Sequence, residues 1–110
     1  MNIYHKQLAS GRWNELSFFD QMANVGSEVE RAIKWKDKAS VERARLAFER
    51  ALELIDLTIS DSKNLKRLRE LTRAREALVD FFAGKNEYGS TDANWKRYFL
   101  GFNYASRSAS

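Results

Sequence analysis

The sequence predicts an all-α fold: an up-down-up-down antiparallel four-helix bundle with a less regular N-terminal extension. Three observations carry this. There is no proline in the 110 residues, and four of the five glycines fall in or near expected breaks: Gly11, Gly84, Gly89, and Gly101 near the end of the chain. Apolar residues recur at spacings of three and four, with no strand-like alternation. Helix-forming residues dominate those same stretches. A chain of this length makes one domain. Its expected divisions are an extension over 1–16, the bundle over 17–106 and a frayed tail over 107–110.

The first helix is expected over 17–38. Ser17 can cap it, and Asp20 places a negative charge in the first turn. Phe18, Met22, Val25, Val29, Ala32 and Ile33 form one apolar stripe. Gly26 sits at the edge of that stripe in mid-helix, where glycine costs ~1 kcal/mol relative to alanine. Close packing of a neighbouring helix is the expected reason, ahead of a functional kink.

Ser40 or Asp37 can cap the second helix. Val41, Ala44, Phe48, Ala51, Leu52, Ile55 and Ile59 are its expected core stripe, opposite Glu42, Arg45, Glu49, Glu53 and Asp56. Leu46 and Leu57 fall on a second flank with Arg43 and Arg50, which predicts burial by another helix or another subunit.

A break at 60–62 leaves Asp61 to cap a third helix over 63–83, with Gly84 as its stop. Leu65, Leu68, Leu71, Ala74, Leu78, Phe81 and Phe82 should face inward. After a turn at 85–90, Thr91 can cap a shorter helix over 92–106, with Trp95, Tyr98, Phe99 and Phe102 inside. That aromatic group reads as core or oligomer interface. Helices of about 20 residues are ~30 Å long, and short links make them antiparallel neighbours. Trp13 is a candidate lid or oligomer contact. With Leu46 and Leu57 it forms the set of candidate interface residues for a homo-oligomer.

Several chemistries lack their residues. With no cysteine there is no disulfide, thiolate metal site or thiol nucleophile. The single histidine, His5, precedes the first helix, so neither the Glu-x-x-His pairs of a di-iron bundle nor a Ser/His pair in the core can form. No Walker A or GxGxxG loop is present. The expectation is a non-enzyme with no cofactor, no metal and no small-molecule substrate. No apolar run approaches the roughly 18 residues of a membrane span, and residues 1–8 lack a signal-peptide core, so a cytoplasmic location is expected.

The positive charge is local. Residues 63–75 hold six Lys/Arg and one acid, a net of +5, whereas the whole chain carries +4. On a helical wheel Lys66, Arg69 and Arg73 share an outward stripe, continued by Glu76 and Asp80. They are the candidate nucleic-acid contacts, suited to phosphates in a salt-dependent, sequence-tolerant way. The alternative is a plain solvated face. Aromatics are not interleaved on that stripe, so base stacking is not expected. Arg67 and Arg75 fall inside or beside the apolar arc, where an unpaired guanidinium is costly. Glu28 is the candidate partner of Arg75 in an inter-helix ion pair. A reach across a subunit interface or a ligand role are the alternatives.

The pattern over 17–106 resembles small bacterial four-helix-bundle proteins of the ribosomal-RNA intervening-sequence type, which are similar to the accessory bundles of diversity-generating retroelements. Segments 24–31 and 50–57 (NVGSEVER and RALELIDL) resemble those of uncharacterised bacterial proteins. The resemblance implies a basic, oligomeric bundle that binds RNA or a protein partner. HEPN-type bundles are also of this size. Their ribonuclease members carry Arg, four to six residues, then His, whereas His5 precedes every arginine here, so only a catalytically inactive relative would fit. The expected function is a non-catalytic binding or assembly module associated with RNA or a ribonucleoprotein. The alternative is a protein-interaction bundle, such as an inactive HEPN-like partner of a nucleotidyltransferase.

Overall fold

The computed structural model describes residues 11–108, and the expectations placed on 1–10, His5 among them, lie outside that range. A 3-10 turn, Arg12–Glu15, leads into α1 (Phe18–Asp37) and α2 (Val41–Ser60). A 3-10 segment, Ser62–Arg67, then precedes α3 (Leu68–Ala83), and α4 (Asp92–Ser108) closes the described chain. The described residues are all-α, and the helices pack as a bundle would.

The caps follow from local chemistry. The Ser17 hydroxyl accepts the Asp20 N–H at 3.1 Å, Asp61 accepts the Lys63 N–H at 3.1 Å, and Thr91 Oγ1 accepts the Asn94 N–H at 3.0 Å. Ser40 stands at the N-cap of α2 without a side-chain capping bond. α4 continues through Arg107 and Ser108, beyond the boundary expected at 106.

α1 is the central helix, with α2 packed on one part of its surface and α4 on another. Its buried stripe contains the expected Phe18, Met22, Val25, Val29, Ala32 and Ile33, together with Gln21 and Gly26. The start of α1 meets the end of α4 where Ser106 Oγ donates to Asp20, and the end of α1 meets the start of α4 through Lys36 and Asp92 at 3.0 Å. Between them, Phe99 lies against Gly26. α3 packs on α2, with Phe48 and Phe82 at 5.1 Å between ring centres.

The buried stripe of α2 is rotated from expectation. It comprises Ala47, Ala51, Leu54, Ile55 and Thr58, while Phe48, Leu52 and Ile59 are half-buried and Val41 is 79% exposed. Small side chains at 47 and 51 let α1 and α2 approach closely, and the larger residues flank the contact. In the third element, Leu71, Ala74 and Leu78 are buried, but Leu65 is 72% exposed and Leu68 is exposed too. The cause is the 3-10 segment. With three residues per turn, positions i and i+3 eclipse, so the α-helical stripe does not extend back to residue 65.

A hydrogen-bonded polar cluster ties the N-terminal turn to the α2 corner. Trp13 Nε1 donates to Thr58 Oγ1 at 3.0 Å, and Thr58 donates on to the Leu54 carbonyl. Gln21 Nε2 donates to the Trp13 carbonyl and to Asp61, and Asn64 Nδ2 donates to Gln21 and to the Thr58 carbonyl. Such a network is stabilising only when its members are satisfied, and here each polar group has a partner. Trp13 is therefore a core residue, 1% exposed, and not a surface available to a second subunit. Leu57 is half-buried and packs on the chain's own core, and Leu46 is half-buried as well.

Candidate functional site

A groove of about 980 Å³ runs between the 3-10 segment and α3 on one side and the start of α4 on the other. It exists because α3 is held by α2 and touches α4 little, so these two helices do not close on each other. Lys66 comes from the 3-10 segment, while Arg69 and Arg73, one turn apart, come from α3. All three line the groove, so the structure brings the expected cationic stripe together in a concave setting. None of the three makes an ion pair among the described residues.

The other basic groove residues are engaged by the fold. Lys63 Nζ bonds the Asn14 carbonyl at 3.0 Å and the Asp61 carboxylate. Burial works against the Asp61 charge, but the hydrogen bonds and charge of Lys63, with the Gln21 amide, hold its carboxyl below the usual carboxylate range. The Arg67 guanidinium lies 4.2 Å from the centre of the Phe18 ring and 5.7 Å from that of Phe19. This cation–π contact, together with its place on the groove, is what the structure assigns to Arg67 in place of a buried ion pair.

Arg75 points elsewhere and does not meet Glu28. It bonds Asp56 of α2 through Nε at 2.6 Å and Nη2 at 3.3 Å, and that carboxylate raises its pKa against the opposing effect of burial. Both side chains are partly exposed, so this is a surface link between α2 and α3 and not a buried pair. Glu28 accepts from Arg31, three residues on in its own helix, at 2.9 Å. Helix periodicity placed Arg75 near the apolar arc, but the long side chain carries its charge out to the rim.

The opposite wall was not legible as part of the site. Ser90, Asn94, Trp95 and Tyr98 line it. The loop before α4 is fixed by Asp80, whose carboxylate accepts the Glu87 and Tyr88 N–H groups at 2.8 and 3.0 Å. Asn86, at a left-handed φ of 54°, bonds both the N–H and the carbonyl of Ser90 at 2.9 Å. These bonds set where Ser90 and Asn94 stand. Trp95 is 7% exposed, packed on Phe81, Tyr98 and Phe99, and its buried Nε1 has no hydrogen-bond partner. Tyr98 donates to Glu70, the groove's carboxylate, at 3.2 Å. Burial first, then the charge and hydrogen bond of Glu70, push the Tyr98 phenol well above its ordinary value, so it remains a donor at neutral pH.

The groove thus has a cationic wall and a neutral wall of aromatic and amide groups. Lys and Arg bind oxyanions without changing protonation near neutrality. No cluster of residues able to hold a metal ion occurs among the described residues, and no described helix is long and apolar enough to cross a membrane. Comparison with protein-family models, with curated proteins and with solved structures finds no match.

Proposed function

We propose that this chain is a non-catalytic binding module whose α3–α4 groove holds the phosphate backbone of RNA, as an accessory of a ribonucleoprotein. The observation that carries the reading is the convergence of Lys66, Arg69 and Arg73 on one groove, with none of them committed to an ion pair among the described residues. Three cations facing a single strand correspond to a slope of about −2 in log affinity against log salt. The arrangement has no base-reading element of a DNA-binding motif, so recognition tolerant of sequence is the reading. The test is a titration with RNA at two salt concentrations, for the native chain and for the Lys66→Glu/Arg69→Glu/Arg73→Glu variant. Binding that weakens with salt and is abolished in the variant supports the reading. Undetectable binding at low salt, or an unaffected variant, ends it.

The up-down-up-down order of helices belongs to the same proposal. Its support is the pairing of opposite ends of α1 and α4 by Ser106–Asp20 and Lys36–Asp92, and the short link at 38–40 between α1 and α2. So do the cytoplasmic location, with which a cysteine-free chain is compatible, and kinship with the intervening-sequence and retroelement-accessory bundles.

A second reading, a protein-interaction or homo-oligomeric bundle, is favoured by a different observation. Leu100 and Tyr104, one turn apart on α4, are both mostly exposed, as is Leu65. Light scattering over a concentration series tests it, and a strict monomer at high concentration counts against self-association.

A further inference from the structure

We propose that the groove takes a single-stranded segment, with a base turned against Trp95 so that the indole N–H donates to a base carbonyl or ring nitrogen. The inference rests on the reading of the groove as an RNA-backbone site and names the form of RNA that fits it.

Two features select a single strand. The first is the asymmetry of the walls. Lys66, Arg69 and Arg73 face one side of the groove, and Ser90, Asn94, Trp95 and Tyr98 face the other. A nucleotide has the same division, with a charged phosphate at one end and a neutral, hydrogen-bonding ring at the other. A duplex would present phosphates to the cationic wall but keep its bases paired and stacked, away from the far wall.

The second is the state of Trp95. Its indole is stacked on Phe99 at 6.0 Å between ring centres and meets Tyr98 edge-on at 5.8 Å. The ring faces are therefore largely occupied, and the unspent capacity is the N–H. A buried donor without an acceptor carries a penalty that disappears when one is supplied. Trp13 makes the contrast, because its indole N–H is satisfied internally by Thr58. Water scarcely reaches Trp95 Nε1, so a ligand must part the walls slightly. The seam between α3 and α4 is the one that can yield, because α3 packs chiefly on α2 and meets α4 at few points, such as Phe81 against Trp95 and Glu70 with Tyr98. A phosphate alone has no reason to enter there, since its partners lie on the other wall. A base with a carbonyl or ring nitrogen on its edge does.

The test follows the Trp95 indole N–H resonance in nitrogen-15-labelled protein during titration with single-stranded RNA, with a duplex of the same length and with inorganic polyphosphate. The expected result is a downfield shift with the single strand alone, while all three probes perturb the Arg69 and Arg73 signals. In parallel, Trp95→Phe should lose roughly five- to tenfold in affinity for single-stranded RNA, the scale of one hydrogen bond, and keep its polyphosphate affinity. If that variant does not fold, the resonance in the native chain decides. An unmoved indole with equal binding of single strand, duplex and polyphosphate overturns base insertion and leaves the backbone site standing. Failure of every probe to bind removes both.

Discussion

Phe99 packs so directly on Gly26 that a Cβ built on the glycine would lie 2.7 Å from the Phe99 Cβ and 2.9 Å from its Cγ and Cδ1. These atoms belong to the root of the Phe99 side chain, which α4 holds in place, so relief requires moving the helix. Gly26→Ala gains up to ~1 kcal/mol of helix propensity but incurs overpacking of about 1–3 kcal/mol. A net loss of about 1–2 kcal/mol is expected, or a fall in Tm of roughly 5–10 °C, measured by thermal unfolding.

Gly101 supplies the opposite case on the same helix. It is exposed within α4 and nothing would lie within 4 Å of an added Cβ. Gly101→Ala should raise stability by about 0.5–1 kcal/mol, by helix propensity and by restricting the unfolded chain. Opposite signs for the two glycine substitutions in one unfolding experiment check the placement of α4 on α1.

The contrast shows how far the sequence could be read. Ser17, Asp61 and Thr91 signalled helix starts because capping depends on a few neighbouring residues, and Gly84 signalled a stop for the same reason. Gly26 signalled close approach, though not by Phe99 in particular. Local spacing also placed Lys66, Arg69 and Arg73 together. What failed was non-local. Gln21, Thr58 and Asn64 add nothing to the apolar pattern, yet they are buried because they bond one another, Trp13 and Asp61. Trp95 and Tyr98 read as core or oligomer interface, and their place on the groove depends on α3 standing away from α4, which no periodicity encodes. Leu65 was misplaced because a wheel of 3.6 residues per turn was applied to a 3-10 segment.

Asp61 gives the fold an acid-sensitive joint. Its folded pKa lies below the usual value near 4, so the unfolded chain binds the proton more readily. The stabilisation is complete above about pH 4 and is lost as pH falls through the folded value. Asp61→Asn should cost about 1–3 kcal/mol at pH 7, because Lys63 loses its carboxylate and Gln21 a charged acceptor. The gap between native and variant Tm should close as pH falls below the usual carboxylate range and through the lowered pKa of Asp61. A gap that stays constant over that range contradicts this role.

The Asp56–Arg75 link should matter much less, despite its good geometry. Both partners are exposed by a third or more, and solvent screens the pair. Asp56→Asn is expected to change stability by less than about 1 kcal/mol, with the small loss shrinking further in 1 M salt. Urea unfolding at low and high salt measures it. A loss comparable to that of Asp61→Asn would mean that the α2–α3 contact depends on this charge pair and not on apolar packing such as Phe48 against Phe82.

Glu70 is the groove residue whose charge opposes the proposed ligand. It stands among Lys66, Arg67, Arg69 and Arg73, and Tyr98 donates to it at 3.2 Å. Glu70→Gln keeps an oxygen to accept from Tyr98 and removes the negative charge. Single-stranded RNA should then bind roughly two- to fivefold more tightly, the scale of one exposed charge, with a larger gain at low salt. The same substitution carries an internal control. The Tyr98 phenol should titrate at lower pH than in the native chain, since Glu70's charge no longer opposes ionisation, but still above its ordinary value because burial persists. A Tyr98 titration that shifts while RNA affinity stays unchanged would show the charge removed without consequence for binding, and would place the RNA contact outside this groove.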